Sequence, residues 1–409
     1  MINKVFRIGK IKISVHTLVM LLFFVFFVTK ELRAFRKTSV EGGIWNYIQL
    51  LFVLIGVILI FVNFSLFVKS APFWFLLTYS FLAMLNSLLF VQWKLSSVFD
   101  YILLPYALCI FVIAASDAYY NNFDEGWLLL FAFYTMTGIY VINMVIVGSF
   151  STGTGATTDV YYILGLLPVA MVQTRIYKII PLTTCSIAVV LSGKRTGIII
   201  MVIMLLGYFI HNIISSRKIK TQFFYLMGLV IVVAGFVLIF NFINNEFNQK
   251  LSMRMMRIWN EQDSSGRFTR WNMILSAMSS AGLRGWVIGH GNNGVFSALG
   301  GHAHNDFLEV LYDFGLIPFL CYIGFWISSF VELVKMFRSK YVYVSYYFMG
   351  LIFSLGLAFF SFFINDPSYV TSGMLCLGYF LFDYKSVIGL STPGKASVLN
   401  TAGLVRVKT

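Results

Sequence analysis

Imidazole and carboxylate side chains crowd residues 302–306, directly before an apolar run. The chain has five histidines, and three of them, His290, His302 and His304, fall in one polar stretch at 244–304. An imidazole titrates near neutral pH and can accept or release a proton during a reaction, whereas apolar packing does not require it. The stretch therefore predicts proton-transfer chemistry, with a histidine of this group as a general base.

Two other interpretations of these histidines stay open. The alternation of His302, His304 and Asp306, with His290 as a further ligand, is compatible with a metal site, although the spacings typical of zinc sites are missing. A histidine that bonds to the backbone at the start of a helix would also explain the pattern.

The polar stretch is rich in arginine, the side chain best suited to bidentate binding of phosphate. Arg254 and Arg257 are three residues apart, on one face of a predicted helix. Arg267 and Arg270 follow a turn and helix-start signal, so we expect them in the first turns of a helix that runs to about Ser280. Its N-terminus would favour anions. An amphipathic helix on a membrane surface explains the same pattern.

A cationic pair, Lys194 and Arg195, lies in a turn between two short apolar segments. Cations held at the outer edge of a membrane, against the usual topological tendency, predict an anion-binding site. A tight turn with snorkelling cations is the alternative.

Glycine is dense at 285–294, which predicts a folded loop rather than a helix and permits close approach of a ligand. No strand precedes this segment, and no phosphate-binding glycine pattern opens a helix there. The use of a nucleotide such as ATP is therefore unsupported.

The elements that must position these residues are membrane helices. The 409 residues are 59% hydrophobic and 11% charged, whereas soluble domains carry about 25% charge. Apolar runs that approach or reach the length of a ~30 Å hydrocarbon core recur from end to end. The composition predicts an all-α polytopic membrane protein with about twelve transmembrane helices. The predicted spans are 13–29, 44–68, 71–92, 98–115, 126–148, 159–173, 178–192, 196–214, 223–243, 305–333, 341–364 and 369–384.

The distribution of cations indicates the orientation. A basic N-terminus precedes the first apolar run without a cleavage signal, which predicts an uncleaved span and a cytoplasmic N-terminus. Cations in the later loops then fall inside, as the positive-inside rule requires, although the acidic loop at 117–125 does not fit. The predicted divisions are helices 1–9 at 1–243, a periplasmic loop with short helices at 244–304, helices 10–12 at 305–384 and a cytoplasmic tail at 385–409.

The same topology explains the net charge of +14, which we attribute to these loops and to contact with anionic lipid rather than nucleic acid. The four cysteines all lie in apolar segments, so we expect packing roles rather than a disulfide framework.

The histidine motif resembles the signature of the O-antigen polymerase and O-antigen ligase superfamily. That signature is a histidine, then Asn, Ser or Gln, then nine residues and a glycine, with Gly, Thr or Tyr three residues later. Here His304 and Asn305 are followed after nine residues by Gly315, and Pro318 departs at the last position.

Two further elements of the family agree in order and place. The turn at 193–197 resembles its Ser-Arg-Gly element at the outer end of a central span. Ser265, Gly266 and Arg267, with Trp271, resemble its loop arginine followed by an aromatic residue. By motif, the resemblance covers roughly residues 185–320.

The resemblance implies a GT-C-like glycosyltransferase at the outer face of the bacterial inner membrane. Such enzymes use undecaprenyl-pyrophosphate-linked oligosaccharides and need neither a nucleotide sugar nor a metal or other cofactor. A polymerase transfers the growing chain to a hydroxyl of a new lipid-linked repeat unit, giving O-antigen or capsular polysaccharide. A ligase transfers it to the lipid A core. A chain-length regulator would be a further partner of a polymerase.

The resemblance also implies residue roles. His304 is expected to act as the general base, while Arg195, Arg267 and Arg270 stabilise the departing pyrophosphate. Supporting roles are expected for Lys194, Arg254, Arg257, His302, Asn305 and Asp306.

Two other classes of protein were weighed against this interpretation. A flippase for lipid-linked sugars should carry ionisable residues along its spans and show two pseudo-repeated halves, whereas polarity here concentrates in one outer stretch. A metal-dependent hydrolase at the outer face is the remaining alternative.

Overall fold

The structure, a computed structural model, describes residues 5–8, 11–36, 44–90, 101, 103–121, 126–147, 159–174, 177–192, 194–216, 218–242, 267–361, 363–364 and 366–390. A short antiparallel hairpin, β1 (Val5–Ile8) and β2 (Ile11–Ser14), precedes the first helix. All other regular elements of these residues are helices. The all-α prediction therefore describes the body of the fold but omits this hairpin.

In chain order the helices are α1 (Val15–Arg36), α2 (Ile44–Val62), α3 (Phe64–Phe67), α4 (Ala71–Leu89), α5 (Tyr106–Asn121), α6 (Trp127–Val147), α7 (Val160–Gln173), α8 (Ile179–Ser192), α9 (Arg195–Ser215), α10 (Ile219–Phe242), α11 (Arg267–Ser280), α12 (Gly282–Ile288), α13 (Gly294–Leu299), α14 (Asp306–Phe314), α15 (Leu316–Arg338), α16 (Val344–Phe360) and α17 (Pro367–Leu390).

Long and short apolar helices occupy much of the range in which membrane spans were predicted. Within the described residues, α1, α4, α9 and α15 each contain a segment long and apolar enough to cross a membrane. Seven further apolar helices, α2, α5 to α8, α10 and α16, are shorter over those residues. The chain is therefore an integral, polytopic membrane protein, and the number of helices that cross the bilayer stays a prediction.

Two hydrogen bonds identify the two ends of this helical bundle. At one end Lys385 Nζ donates to Lys69 O at 3.2 Å, next to the start of α4. At the other, Asn86 near the end of α4 donates to Phe314 O at 3.3 Å. We call these the Lys385 end and the His304 end.

Two of the predicted spans are interrupted, one at a polar residue and one at a glycine. The apolar run 44–68 breaks at Asn63, whose side-chain oxygen accepts from Tyr120 OH at 3.1 Å. The run 305–333 breaks at Gly315, where φ is +83°, so α14 and α15 are separate helices. The prediction of one continuous span there was wrong, because an apolar run does not reveal a local change of backbone direction.

Two other boundaries also differ from the predictions. The span expected at 98–115 is α5, which starts only after Pro105, and part of the predicted range lies outside the described residues. The glycine-rich segment 285–294 was predicted to be a loop, but α12 extends to Ile288 and α13 begins at Gly294. Gly285 is buried inside α12 next to Ala281, where a larger side chain would collide.

A second, smaller hydrophobic core lies outside the helical bundle. It is formed by Ile274, Met278, Val295, Ala303, Leu311 and Tyr312. These side chains pack α11, α13 and α14 into one layer. The segment that carries His304 runs through this layer, where Ala303 is part of the core. The predicted helix from Arg267 to Ser280 is confirmed as α11.

Candidate active site

The helix α14 is capped at both ends by residues of the histidine motif. Asn305 has an extended backbone, and its side-chain oxygen accepts a hydrogen bond from Leu308 N at 3.1 Å, which satisfies a donor of the first turn. Its amide nitrogen donates to Phe359 O at 3.2 Å, linking the cap to α16. The nine residues between Asn305 and Gly315 are the whole of α14.

The C-terminal cap of α14 depends on close backbone packing. Gly315 has φ +83°, a conformation that L side chains avoid, and a Cβ there would collide with Val287 O. Asn86 donates to both Ile288 O and Phe314 O, so one amide from α4 ties the ends of α12 and α14 together. The glycine of the motif is therefore required by geometry.

His304 precedes this cap with a left-handed backbone, φ +54°, and its side chain is half-buried. The pKa of His304 is lowered to about 4, chiefly by burial and in addition by the positive charges of Arg267, Arg270 and Lys194. The imidazole is thus neutral and able to accept a proton.

The start of α11 holds the backbone next to His304. Arg270 Nη1 donates to His302 O at 3.0 Å, and Trp271 Nε1 donates to Ala303 O at 3.0 Å. Because both bonds fix the two residues before His304, they set the direction from which its imidazole faces the cations. The ring nitrogen of Trp271 is therefore used in positioning.

Arg267 lies in the first turn of α11 and faces the start of α7. Burial lowers the pKa of its guanidinium, and Tyr161 opposes this change. Arginine nevertheless remains charged at neutral pH. The Tyr161 hydroxyl hydrogen-bonds to Thr196 and to the backbone of Gly197 in the first turn of α9. Tyr161 thus connects α7, α9 and α11 at the His304 end.

The turn between α8 and α9 contributes a further cation. The backbone N–H of Lys194 donates to Ser192 Oγ at 3.1 Å, and Ser192 Oγ donates to Val189 O at 2.6 Å. Lys194 is close enough to His304 to act on its charge, as described above. Arg195 begins α9, and its side chain lies outside the described residues.

The other ionisable groups of the motif have structural partners. His302 Nδ1 lies 2.7 Å from Glu309 Oε1, whose side chain is buried. Asp306 is fully buried and accepts from Phe363 N at 3.0 Å, Ile364 N at 2.7 Å and Tyr322 OH at 3.0 Å. It therefore ties α14 to the chain before α17.

The contacts of the motif residues also bear on whether His290, His302 and Asp306 could bind a metal ion. His290 stacks on Tyr312 with ring centroids 4.1 Å apart, away from a shared centre with Asp306. Among the residues that the structure describes, no group of three or more His, Cys, Asp or Glu side chains is placed to hold a metal ion.

The structure brings five of the predicted site residues into one region, namely His304, His302, Lys194, Arg267 and Arg270. Arg254 and Arg257 lie outside the described residues. Sequence reasoning missed Tyr161, Glu309 and Asn86. Glu309 could have been found by its position one helical turn after Asn305, but a single Asn or Tyr in an apolar span gives no such signal.

The fold and the site define a class: a polytopic membrane protein that surrounds one neutral imidazole with cations at one end of its bundle. Residues 180–323 match the family model described as O-antigen ligase. Over that part of the chain, this match confirms the resemblance drawn from the motifs to the O-antigen ligase and polymerase superfamily. No curated protein matches the chain.

The matched segment begins in α8 and ends in α15, so it contains Lys194, Arg267, Arg270 and His304. Tyr161 and Asn86 lie before it. Members of this family are glycosyltransferase-like enzymes, and the match supports an enzymatic role for the chain. The family match does not separate a polymerase from a ligase.

Proposed function

We propose that this protein is a polysaccharide polymerase. It would join undecaprenyl-pyrophosphate-linked repeat units into O-antigen or capsular polysaccharide at the outer face of the inner membrane. The observation that carries the proposal is the neutral, half-buried imidazole of His304 beside Lys194, Arg267 and Arg270. A base and a cluster of cations are the two things that glycosyl transfer from a pyrophosphate requires.

In the proposed reaction, His304 accepts the proton of an acceptor sugar hydroxyl. The hydroxyl oxygen then bonds to the anomeric carbon of the donor sugar, and the bond from that carbon to the pyrophosphate oxygen breaks. The electron pair leaves with undecaprenyl pyrophosphate. The proton on His304 returns to solvent or to the leaving group, which restores the neutral base.

The cations have two effects in this scheme. They bind the pyrophosphate and stabilise the charge that it gains as the bond breaks, and Arg267 and Arg195 suit this role because a guanidinium group can bind phosphate through two parallel hydrogen bonds. In the empty site they also keep His304 neutral. A bound pyrophosphate offsets their charge, so the pKa of His304 rises and the imidazole becomes a stronger base when the donor is present.

The remaining motif residues act through position. Arg270 and Trp271 hold the carbonyls of His302 and Ala303, while Asn305 begins the helix that follows. We assign Arg270 chiefly to this positioning, with its charge adding to that of Arg267. Glu309 orients His302.

The direct test is to incubate the purified, reconstituted protein with a lipid-linked repeat unit and to separate the products on a gel. A ladder of lipid-linked chains is expected from the wild type, and none from His304→Ala. His211→Ala, which alters a histidine near the Lys385 end beside Phe337, is the matched control and should keep the ladder. A normal ladder from His304→Ala would rule out this assignment of the base.

A ligase is the second candidate, because the matching family model is described as O-antigen ligase. The donor chemistry at His304 would be the same and only the acceptor would differ. Adding lipid A core oligosaccharide to the assay distinguishes them. Core-linked glycan without lipid-linked ladders would replace the polymerase proposal by the ligase.

A further inference from the structure

A groove lies on the outside of the helical bundle between α4 and α15, far from His304. It has a volume of about 300 Å³ and is lined by Phe75, Gly324, Ile327, Val331, Glu332 and Lys335, among others. Most of its surface is apolar, and its polar groups gather at the Lys385 end. The groove therefore has an apolar body and a charged mouth.

The length of the groove matches one leaflet of a bilayer. At Gly324 the two helices are in contact, since a Cβ there would collide with the ring of Phe75. From Gly324 to Lys335 the helix rises roughly 16 Å, about half of the ~30 Å hydrocarbon core. Ile327 is 59% exposed and Val331 48% exposed on the outside of the bundle, where they face acyl chains in a membrane.

The mouth of the groove carries more positive than negative charge. Lys335 Nζ donates to Glu332 Oε1 at 2.9 Å, and the Glu332 carboxylate is almost fully buried. Lys385 interacts electrostatically with both groups, and its ammonium is anchored on Lys69 O. Two ammonium groups therefore face one carboxylate, which leaves a local charge of +1.

We propose that this groove binds one anionic phospholipid, with an acyl chain along Ile327 and Val331 and the phosphate at Lys335 and Lys385. Basic pockets between transmembrane helices at the cytoplasmic leaflet attract such headgroups. Glu332 sets the spacing of the two lysines and limits the site to a single negative charge. The proposal concerns a separate site and does not rest on glycosyl transfer at His304.

The bound lipid would stabilise the pair formed by α4 and α15. The same helix α4 supplies Asn86, which ties α12 to α14 at the other end. A lipid that bridges α4 and α15 would thus steady the helix on which the cap of α14 depends.

The experiment is native mass spectrometry of the purified full chain, titrated in detergent with phosphatidylglycerol, phosphatidylethanolamine or phosphatidylcholine. One phosphatidylglycerol should bind most tightly, and Lys335→Gln with Lys385→Gln should weaken it by about tenfold or more. The matched control is Lys218→Gln with Lys220→Gln, two exposed lysines near the same end but outside the groove, which should leave the affinity unchanged.

Two further variants test the site if the double variant does not fold. Val331→Trp should fill the groove and abolish binding without a change in charge. Glu332→Gln should strengthen phosphatidylglycerol binding several-fold, because the local charge becomes +2. Equal affinity for phosphatidylcholine, unchanged affinity in Val331→Trp, or weaker binding in Glu332→Gln would each overturn the proposal.

Discussion

At the scale of single residues, the surroundings of His304 decide when its imidazole can act as a base. Burial and three neighbouring cations favour the neutral form, so the pKa of about 4 lies well below the usual 6.5. A base must be deprotonated to work, and the activity limited by His304 is therefore lost only as the pH falls towards 4. In the proposed reaction, the cations that would bind the leaving group also widen the pH range over which His304 is neutral.

Removing one of these cations should narrow the pH range over which His304 is neutral. In Arg267→Gln the pKa of His304 should rise towards its usual value, so the acidic limb of kcat/KM moves to higher pH. Arg267→Lys keeps the charge and should leave the limb in place, while kcat falls about 10² to 10³-fold because a bidentate donor is lost. The profile of initial rates between pH 4 and 8 measures both. An unmoved limb in Arg267→Gln would show that another group controls it.

Chelation of divalent metals should leave turnover unchanged. Lys194, Arg267 and Arg270 supply positive charge where the pyrophosphate would bind, so the proposed chemistry has its electrostatic stabilisation without a metal. The measurement is the product ladder with and without EDTA. Loss of activity that zinc restores would revive the metal interpretation of His302 and His304.

At the scale of secondary-structure elements, α14 is a short helix whose two caps are its most constrained residues. Asn305 satisfies the first turn, and Gly315 lets the chain leave at φ +83° against the backbone of Val287. The residues between them fill the small outer core and bind Asp306 to the chain before α17. The position of His304 depends on both caps, because it immediately precedes the helix.

Replacing Gly315, the C-terminal cap of α14, should lower the free energy of unfolding by more than its positive φ alone would cause. Gly315→Ala combines a positive φ with a backbone collision, whereas Gly300→Ala has φ +66° and open space around the new Cβ. We expect about 1 to 2 kcal/mol for Gly300→Ala and a clearly larger loss for Gly315→Ala. Thermal unfolding in detergent compares the two. Equal losses would mean that the contact with Val287 relaxes easily.

The N-terminal cap can be separated from the chemistry. Asn305→Ala should lower stability by about 1 kcal/mol and reduce activity through the displacement of His304, while Asn305→Ser should retain most of both, since serine also caps helices. The melting temperature and the product ladder report the two effects. If Asn305→Ser is as inactive as the alanine variant, the amide contacts substrate directly or its bond to Phe359 O is essential.

At the scale of the whole molecule, the bundle has the cations around His304 at one end and Lys335 and Lys385 at the other. A contact between α1 and α7 shows at which end Lys30 lies. The ammonium group of Lys30 is 5.7 Å from the centroid of the Tyr162 ring, at the start of α7. Lys30 thus lies at the His304 end, as the predicted topology required in spite of its charge.

That orientation can be measured with introduced cysteines in a variant that lacks the four native ones. Arg284→Cys in α12 should react with an impermeant maleimide added from outside. Arg338→Cys at the end of α15 should react only after permeabilisation, because the positive-inside rule places that end in the cytoplasm. The reverse pattern would invert the topology and remove the proposed outer-face site.

The sequence predicted the features that depend on composition and on motif. Long apolar runs located most of the helices, and the resemblance of the segments around Lys194, Arg267 and His304 to family motifs predicted one site. The break at Gly315 was not predictable from hydropathy, because apolar residues continue on both sides. The role of Asn86 depends on two carbonyl groups about 200 residues away, and no local pattern encodes such a contact.

The nine residues between Asn305 and Gly315 fix both the distance and the relative rotation of the two ends of α14. Because α14 turns by about 100° per residue, one inserted residue would rotate the Asn305 cap relative to Gly315 by that angle and shift it about 1.5 Å. The imidazole would then point away from Arg267 even though every motif residue remained. In this site the number of residues between the histidine and the glycine is as much a determinant of chemistry as their identity.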